Sequence, residues 1–283
     1  MLSNKHSPHI YIGTGGYSDT DLVGTLYQFG TDKTDFLSIY SQHYDTIEIN
    51  STFHAPIGDK ALQGMVEKAE GRLRFSIKLH QDFSHKRTAT KEQATAFLNA
   101  LQPLMEQECL ANLFIQFPSS FERHLANRYY LAELVGWFND YPLAIEFRHR
   151  SWHIQSVLDY FQGKQNLIWC NVDYPQNIGL PAFQFYANQR TAYLRLHGRN
   201  PNWWKAQSAQ ERHDYHYNDV ELLHLAKLLH QHKADFDTLY LYFQNTTNSH
   251  SFYNIAKLKV YLAEYGFVVK PTPECLIGQQ SLF

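Results

Sequence analysis

The feature that most constrains the fold is a short apolar run that recurs eight times along the chain. Each run has the length of a β-strand and its typical content of Ile, Val, Leu, Phe and Tyr. The runs cover residues 9–13, 46–50, 74–78, 112–117, 143–148, 167–173, 192–197 and 238–244. Amphipathic segments that predict helices separate most of them, at residues 34–44, 59–70, 90–106, 125–138, 151–161, 219–232 and 252–265. Eight alternating units predict an α/β fold, a single-domain (β/α)₈ TIM-like barrel with parallel strands.

The chain length agrees with one barrel domain followed by a short tail. It has 283 residues, and such a barrel commonly uses about 250. We predict that the barrel occupies residues 1–270 and that residues 271–283, which open with Pro271, form the tail. Residues 173–190 break the alternation, since they contain Tyr174-Pro175 and show no helical period, and we predict an irregular segment there.

Charge and cysteine content exclude several classes of protein. The net charge is −2, from 25 Lys and Arg against 27 Asp and Glu, which argues against a broad basic surface for nucleic acid. Three scattered cysteines, Cys109, Cys170 and Cys275, predict neither a disulfide framework nor a thiolate zinc site. The first eight residues are polar and the sequence has no run of about 18 apolar residues, so we expect a cytoplasmic protein that has no membrane partner.

Polar side chains occupy one face of most predicted strands, close to the strand's C-terminal end. Side chains alternate between faces with a period of two, so Glu48 and Asn50 share a face that Ile49 does not. Active sites of TIM barrels lie at this end. We therefore expect a site built from Glu48, Glu146, Asp173, Lys78, Arg148, Arg195, His197, Asn50 and Gln116. An internal ion-pair network that only neutralises itself is the alternative; function is favoured because coupled charges in a cleft mark functional sites.

A long segment after the seventh predicted strand is rich in aromatic residues. Residues 200–218 contain Trp203, Trp204, Tyr215 and Tyr217. A long loop at this end of a barrel can act as a lid or a binding wall. Its tryptophans could stack on a sugar or a base, or they could anchor the loop to the barrel, and we favour anchoring.

The strand ends carry a set of motifs that belongs together. They read IGTGGYS at 12–18, EINSTF at 48–53, FSIKL at 75–79, QFP at 116–118, EFRH at 146–149 with Trp152, RLHGR at 195–199 and YFQN at 242–245. This combination resembles the YecE-like family, a domain of unknown function (number 72), over roughly residues 10–262. The resemblance implies a TIM-like barrel and no particular reaction. Tyr17 replaces the usual Trp, and Gln244 replaces the first residue of the usual Asn-Asn, which argues against a role for Gln244.

One functional hypothesis is an enzyme that acts on a small anionic or phosphorylated substrate. Arginine forks match the oxygens of phosphates and carboxylates, and a desolvated lysine can become nucleophilic. We predict substrate binding by Asn50, Gln116, Arg148, Arg195, Arg199, Tyr242 and Asn245. The predicted catalytic residues are Glu48, Lys78, Glu146, Asp173 and His197. Glu146 or Asp173 would be the general base, although for Lys78 we favour a salt bridge to Glu48 or Glu146. The reaction stays open among hydrolase, lyase and isomerase.

A metal-dependent version of this hypothesis is open but not favoured. Glu48, Glu146, Asp173 and His197 offer ligands suited to Mn²⁺, Mg²⁺ or Zn²⁺. Three neighbouring cations compete for the same carboxylates, and the sequence contains no compact metal motif. We therefore assign no metal-site residue, and the cofactor remains unknown.

A second hypothesis comes from the end of the sequence. Residues 279–283, with Gln279, Leu282 and Phe283, resemble the peptide that binds the bacterial sliding clamp. Adjacent Leu and Phe side chains can enter an apolar pocket while Gln fixes the register. Gln280 departs from the usual Leu, and the tail could instead dock on its own barrel. Clamp binding would place the protein in DNA metabolism; a non-catalytic ligand-binding barrel is the third hypothesis.

Overall fold

A computed structural model describes residues 7–176 and 178–273 as one barrel of eight strands. The strands are β1 (His9–Thr14), β2 (Thr46–Ile49), β3 (Arg74–Lys78), β4 (Leu110–Phe117), β5 (Leu143–Phe147), β6 (Leu167–Asp173), β7 (Thr191–Leu196) and β8 (Thr238–Phe243). Their hydrogen-bonded order is β1-β8-β7-β6-β5-β4-β3-β2, and every pair is parallel. Since β2 also contacts β1, the sheet curls into the predicted (β/α)₈ barrel, which is confirmed.

Helices follow the strands around the outside of the barrel. They are α1 (Phe36–His43), α2 (Asp59–Ala69), α3 (Lys91–Ala100), α4 (Gln102–Glu106), α5 (Leu125–Trp137), α6 (Gln155–Gln162), α7 (Ala209–Arg212), α8 (Asp219–Gln231) and α9 (His250–Glu264). None of the helices in the described part of the chain is long and apolar enough to cross a membrane.

Three details of this layer bear on the sequence predictions. The helix expected over residues 90–106 begins with the predicted capping box of Thr90 and Gln93. It divides into α3 and α4 because Pro103, which has no N–H to donate, lies in the first turn of α4. The helix expected from residue 151 starts later, after a 3₁₀ turn at Arg150–Trp152. Between β6 and β7 the described residues form no helix or strand, as predicted.

The strands lie between an outer apolar cluster under the helices and a smaller apolar cluster inside the barrel. A polar layer lies above the inner cluster. Side chains such as Ile47, Ile145 and Leu194 face outward and pack under the helices. A smaller cluster fills the barrel interior, with the members Phe114, Ala144, Ile168, Cys170, Tyr193 and Tyr242. Moving two residues further along β7, from Tyr193 to Arg195, keeps the inward direction and reaches the C-terminal end of the barrel. This register gathers the inward polar side chains there in one layer.

A tyrosine hydroxyl bridges the seam where β1 meets β2. The Thr14 N–H donates to Tyr40 Oη at 2.9 Å, and the same hydroxyl donates to the Thr46 carbonyl at 3.1 Å. Gly13 permits the close approach, because a Cβ there would lie 1.9 Å from the Thr46 carbonyl oxygen. One side chain from α1 therefore satisfies two buried backbone groups on the two strands.

Replacing Tyr40 with phenylalanine is expected to destabilise the protein by about 2–3 kcal/mol, because two buried backbone groups lose their partner. The free energy of unfolding, measured in urea, tests this. Tyr129→Phe, at an exposed tyrosine on α5, is the matched control and is expected to change stability by less than about 0.5 kcal/mol. Equal values for the two variants would show that the bridge contributes nothing.

Candidate functional site

Arg195 lies at the centre of the polar layer and joins two buried carboxylates. It chelates Glu48, with Nε 3.0 Å from Oε2 and Nη2 2.9 Å from Oε1, and its Nη1 donates to Glu146 Oε2. Both carboxylates are 0% exposed and Arg195 is 2% exposed. Burial alone would lower the pKa of Arg195, but Glu48 and Glu146 raise it well above its usual value. The three charges form one unit, because each would be unstable in this environment without the others.

Glu48 has no free lone pair for a substrate. It accepts five hydrogen bonds, two from Arg195 and one each from Tyr193 Oη at 2.6 Å, Asn50 Nδ2 at 2.9 Å and Gln244 Nε2 at 3.0 Å. Gln244 thus belongs to the network, although the sequence comparison with the family motif argued against a role for it. Gly15 leaves the space for it, since a Cβ there would lie 2.1 Å from Gln244 Oε1. The geometry suits Glu48 to positioning Arg195 rather than to chemistry on a ligand.

Glu146 accepts three hydrogen bonds from protein donors. Besides Arg195, it accepts from Arg148 Nε at 2.8 Å and from the Tyr174 hydroxyl. Burial would raise the pKa of Glu146, but Arg195 and Arg148 lower it to about 2. A carboxylate with that pKa is a weak proton acceptor. The arrangement therefore supports a fixed anion that orients two arginines more than the predicted general base.

His197 connects the network to the cavity above it. Its Nε2 lies 3.1 Å from Arg195 Nη1, which can only donate, so Nε2 accepts and the proton sits on Nδ1. Nδ1 lies 3.3 Å from His213 Nε2. Burial and, to a smaller extent, the positive charge of Arg195 lower the pKa of His197 well below its usual value. Burial and Arg148 lower the pKa of His213 to about 3, so both rings are neutral near pH 7.

Lys78 lacks the salt bridge that the sequence favoured. Its Nζ lies 3.4 Å from Gln116 Oε1 and 4.5 Å from the centre of the Phe53 ring. Across the described chain, no carboxylate oxygen lies within 4 Å of this nitrogen, because Arg195 and its neighbours already hold Glu48 and Glu146. Burial, followed by the charge of Arg195, lowers the pKa of Lys78 to about 7. The predicted salt bridge is wrong, and the amine is about half neutral at pH 7.

A cavity of about 430 Å³ opens above this layer at the C-terminal end of the barrel. Several polar groups on its wall have no partner. Within the part of the chain that the structure describes, Gln116 Nε2 and Asn50 Oδ1 are buried without a hydrogen bond, and Arg148 donates only through Nε. Lys78, Arg212 and His213 also line the cavity, as do two carboxylates, Asp19 and the already hydrogen-bonded Glu48. The wall thus offers more spare donors than spare acceptors.

Asp173 and Arg199 do not join this site. Asp173 pairs with Leu196 across β6 and β7, on the outward face. Arg199 Nε lies 2.9 Å from Asp173 Oδ2, its Nη1 lies 3.0 Å from Glu221 Oε1, and the Tyr217 hydroxyl donates to Asp173 at 2.7 Å. This second ion cluster lies outside the 430 Å³ cavity. The expected convergence of Asp173 with Glu48 and Glu146 is wrong.

Two further predicted binding residues lie away from the cavity wall. Tyr242 sits deeper in the barrel, where its hydroxyl lies 2.7 Å from Thr46 Oγ1. Asn245 Nδ2 donates to the Tyr215 carbonyl at 2.7 Å and to Asn254 Oδ1 at 3.0 Å. Neither residue lines the cavity, so their contacts support the barrel and its loops.

The loop after β7 forms one wall of the cavity. Trp203 is 1% exposed and its ring lies 5.8 Å from the His197 ring, so it anchors the loop. Trp204 is 59% exposed. Within the loop, α7 brings Arg212 and then His213 to the cavity. His213 was not predicted, since an irregular loop has no period that would place it.

Tyr174 and Tyr193 also belong to the site, and the sequence patterns did not identify them. Tyr193 could have been found, because it precedes Arg195 by two residues and therefore shares its face. Tyr174 follows β6 directly, and its contact with Glu146 depends on a fold in the chain that no local pattern reports.

The residues suggested for a metal do not surround one point. Arg195 engages Glu48 and Glu146, and Asp173 lies on the opposite face of its strand. Within residues 7–176 and 178–273, no group of three or more His, Cys, Asp or Glu side chains is arranged to hold a metal ion. The partner-binding prediction for Gln279, Leu282 and Phe283 lies outside the described residues and stays a prediction.

Comparison with known proteins gives matches over most of the chain. Residues 11–275 match the family model described as "Protein of unknown function DUF72". The UPF0759 protein YunF of Bacillus subtilis is 27% identical over 255 residues, which cover 84% of this chain and 89% of that protein.

Two solved structures share the architecture. A DUF72 family protein of Thermotoga maritima superposes with a TM-score of 0.80 at 27% identity, covering 90% of this chain and 98% of its own. A DUF72 family protein of Enterococcus faecalis gives 0.79 at 25% identity, with 90% and 96% covered. Neither name states an activity, so the comparisons support the fold and leave the chemistry to the site itself.

Proposed function

The chain belongs to the DUF72 family, which assigns it no activity, and from the geometry of its barrel mouth we propose that it is an enzyme for a small anionic substrate. The substrate would bind in the 430 Å³ cavity at the C-terminal end of the strands. That is the end at which TIM barrels carry their active sites. Binding would involve Lys78, Gln116 and Arg148.

The observation that carries the proposal is an imbalance of spare hydrogen-bonding groups. Among residues 7–176 and 178–273, Gln116 Nε2 is a buried donor without an acceptor, and two guanidinium nitrogens of Arg148 have no acceptor. Glu48 and Glu146, in contrast, already accept five and three hydrogen bonds from protein donors. A ligand with several acceptor oxygens and negative charge would satisfy these donors, since guanidinium forks match phosphate and carboxylate geometry.

Catalysis, rather than binding alone, is supported by the ionisation of the cavity wall. Lys78 has a pKa of about 7 and lines the same cavity as Arg148. Titratable groups with such perturbed pKa values concentrate at active sites, where proton transfer near neutral pH is needed. A non-catalytic ligand-binding barrel is the alternative, and a metabolite that binds and is recovered unchanged would favour it.

Sulfate is expected to bind in the cavity and to bind about tenfold more weakly to Arg148→Gln, because one charged fork is lost. Sulfate keeps its charge across the relevant range, so any pH dependence belongs to the protein. The affinity should fall as the pH rises through about 7, where Lys78 loses its proton. Isothermal titration calorimetry at several pH values measures both effects.

Arg128→Gln is the matched control for this titration. Arg128 is an exposed arginine on α5, in a groove on the outside of the barrel. It carries the same charge as Arg148, so a general effect of net charge would appear equally in both variants. The absence of saturable binding of sulfate and inorganic phosphate to the wild-type protein would contradict the proposed function.

A further inference from the structure

We propose that Lys78 is a nucleophile that forms an imine with the carbonyl group of a small anionic substrate such as a 2-oxo acid. This inference rests on the proposed function and names the reacting atom, Lys78 Nζ, and the substrate class. An amine reacts with a carbonyl when it is desolvated, neutral and free of a carboxylate partner. The surroundings of Lys78 meet these three conditions.

Contacts of the Lys78 amine are with an amide and two aromatic faces. Nζ lies 3.4 Å from Gln116 Oε1, 4.5 Å from the Phe53 ring centre and 5.8 Å from that of Phe114. Among the side chains that the structure describes, no carboxylate lies within ion-pair distance of it. A lysine with a structural role would normally be paired when buried. Here the nitrogen lines the cavity and can be reached by a ligand there.

Neighbouring charges act against the protonated form. Burial contributes most, and Arg195 and Arg148 then outweigh Glu48 and Glu146 in lowering the pKa of Lys78 to about 7. A substantial fraction of the amine is therefore neutral at neutral pH. The same effect, burial beside another cation, activates lysine nucleophiles in general.

The remaining groups on the wall suit the anionic end of the substrate. With respect to the described residues, Arg148 has two unused guanidinium nitrogens and Gln116 has an unused amide donor. Arg148 lines the same cavity as Lys78 and influences its charge. If Arg148 bound the carboxylate of a 2-oxo acid, the adjacent carbonyl group would be held in the same cavity as the Lys78 amine. Holding the two reacting groups close together accelerates their reaction.

The covalent step is balanced without an oxidant or reductant. The Nζ lone pair forms a bond to the carbonyl carbon, and the carbonyl π electrons move to oxygen, which takes up a proton released by the nitrogen. The resulting hydroxyl group leaves as water with a second proton, drawn from solvent at the open mouth of the cavity. The nitrogen lone pair then completes a protonated C=N bond.

Reductive trapping tests the proposal. Pyruvate with sodium cyanoborohydride is expected to add one reduced pyruvyl group to the wild-type protein, which peptide mapping by mass spectrometry would locate at Lys78. Lys78→Arg keeps the positive charge but has no amine, so adduct formation should fall by at least about tenfold.

Lys86→Arg is the control, at a lysine whose side chain is 54% exposed, and this variant should be trapped like wild type. Trapping should increase from about pH 6 to about pH 8 as Lys78 becomes neutral.

Two results separate this inference from the proposed function. If sulfate binds but pyruvate, glyoxylate and dihydroxyacetone phosphate give no adduct at Lys78, the imine is ruled out and the anion site stands. If neither sulfate nor inorganic phosphate binds and no adduct forms, both are overturned. Labelling that is spread over surface lysines and unchanged in Lys78→Arg also overturns the imine.

Discussion

Replacing Arg195 with methionine is expected to destabilise the protein by about 3–5 kcal/mol, the range found when one partner of a buried ion pair is removed. Glu48 loses both of its bonds to the guanidinium group and Glu146 loses one. Both carboxylates then have fewer donors at a buried position, where an unpaired charge is costly. Urea unfolding followed by circular dichroism measures the difference in free energy.

Arg190→Met is the control for that measurement. Arg190 also forms a two-pronged pair, with Asp237, but the two side chains are 58% and 44% exposed. Exposed pairs contribute about 0–1 kcal/mol, so the loss should be small. Adding Glu48→Gln to Arg195→Met should recover part of the stability, because one unpaired charge is removed. A loss in Arg195→Met no larger than in Arg190→Met would show that the buried network is not a cooperative unit.

Lys78→Met is expected to have the opposite effect, a gain in stability of about 3 kcal/mol at pH 7. Folding lowers the pKa of Lys78 from 10.5 to about 7. Each pKa unit corresponds to about 1.4 kcal/mol between the two protonation states. Because Lys78 is partly exposed, we expect a free-energy gain smaller than the full pKa shift would give. A methionine of similar length carries no charge to desolvate. The same substitution should abolish imine formation, so stability and activity would change in opposite directions.

The sign of the pH dependence distinguishes this cause from a simple packing effect. Between about pH 7 and 10.5 the unfolded wild-type chain binds a proton at Lys78 that the folded chain has released. Wild-type stability therefore rises with pH across this window through Lys78. The advantage of Lys78→Met should be largest below about pH 7 and fade toward 10.5. A gain that does not vary with pH, or one that Lys86→Met shares, would contradict the assignment.

Most of the barrel and part of the site were predictable from local patterns. Glu48, Lys78, Glu146 and Arg195 each occupy the polar face of a strand that alternates with a period of two. Parallel strands end at the same edge of a barrel, so side chains in these positions must approach one another. The structure places Glu48 and Glu146 on the guanidinium group of Arg195, and Lys78 lines the same cavity as Arg195.

The same pattern failed at β6 for a physical reason. Polar side chains near the C-terminal end of β6 face outward because an irregular segment covers that part of the strand, whereas Trp169, nearer its start, packs on Phe161 of α6. Asn171 forms two hydrogen bonds with the backbone of Tyr186, at 2.7 and 2.8 Å, and Asp173 binds Arg199. Backbone groups of a loop need polar partners, so polarity alone could not tell the inner face from the outer one.

Pairing within the site was also beyond local patterns. Glu48 and Arg195 are 147 positions apart, and the sequence offered three carboxylates for three cations. Arg195 and Lys78 both lie near the two inner carboxylates, and Arg195 forms the ion pairs with both of them. Lys78 therefore has no carboxylate partner among the described residues. That outcome depends on side-chain reach in three dimensions, and no spacing in the sequence encodes it.

The interlocked network under the cavity also limits how such a protein can evolve. A single replacement at Glu48, Glu146 or Arg195 leaves the buried charges unbalanced, so changes there would have to arrive together to be tolerated. Asp19 and Arg212, by contrast, are carried by the loops after β1 and β7 and line the same cavity. They can vary one at a time. New substrate preferences would therefore be acquired through the loops, while the network beneath them is inherited intact.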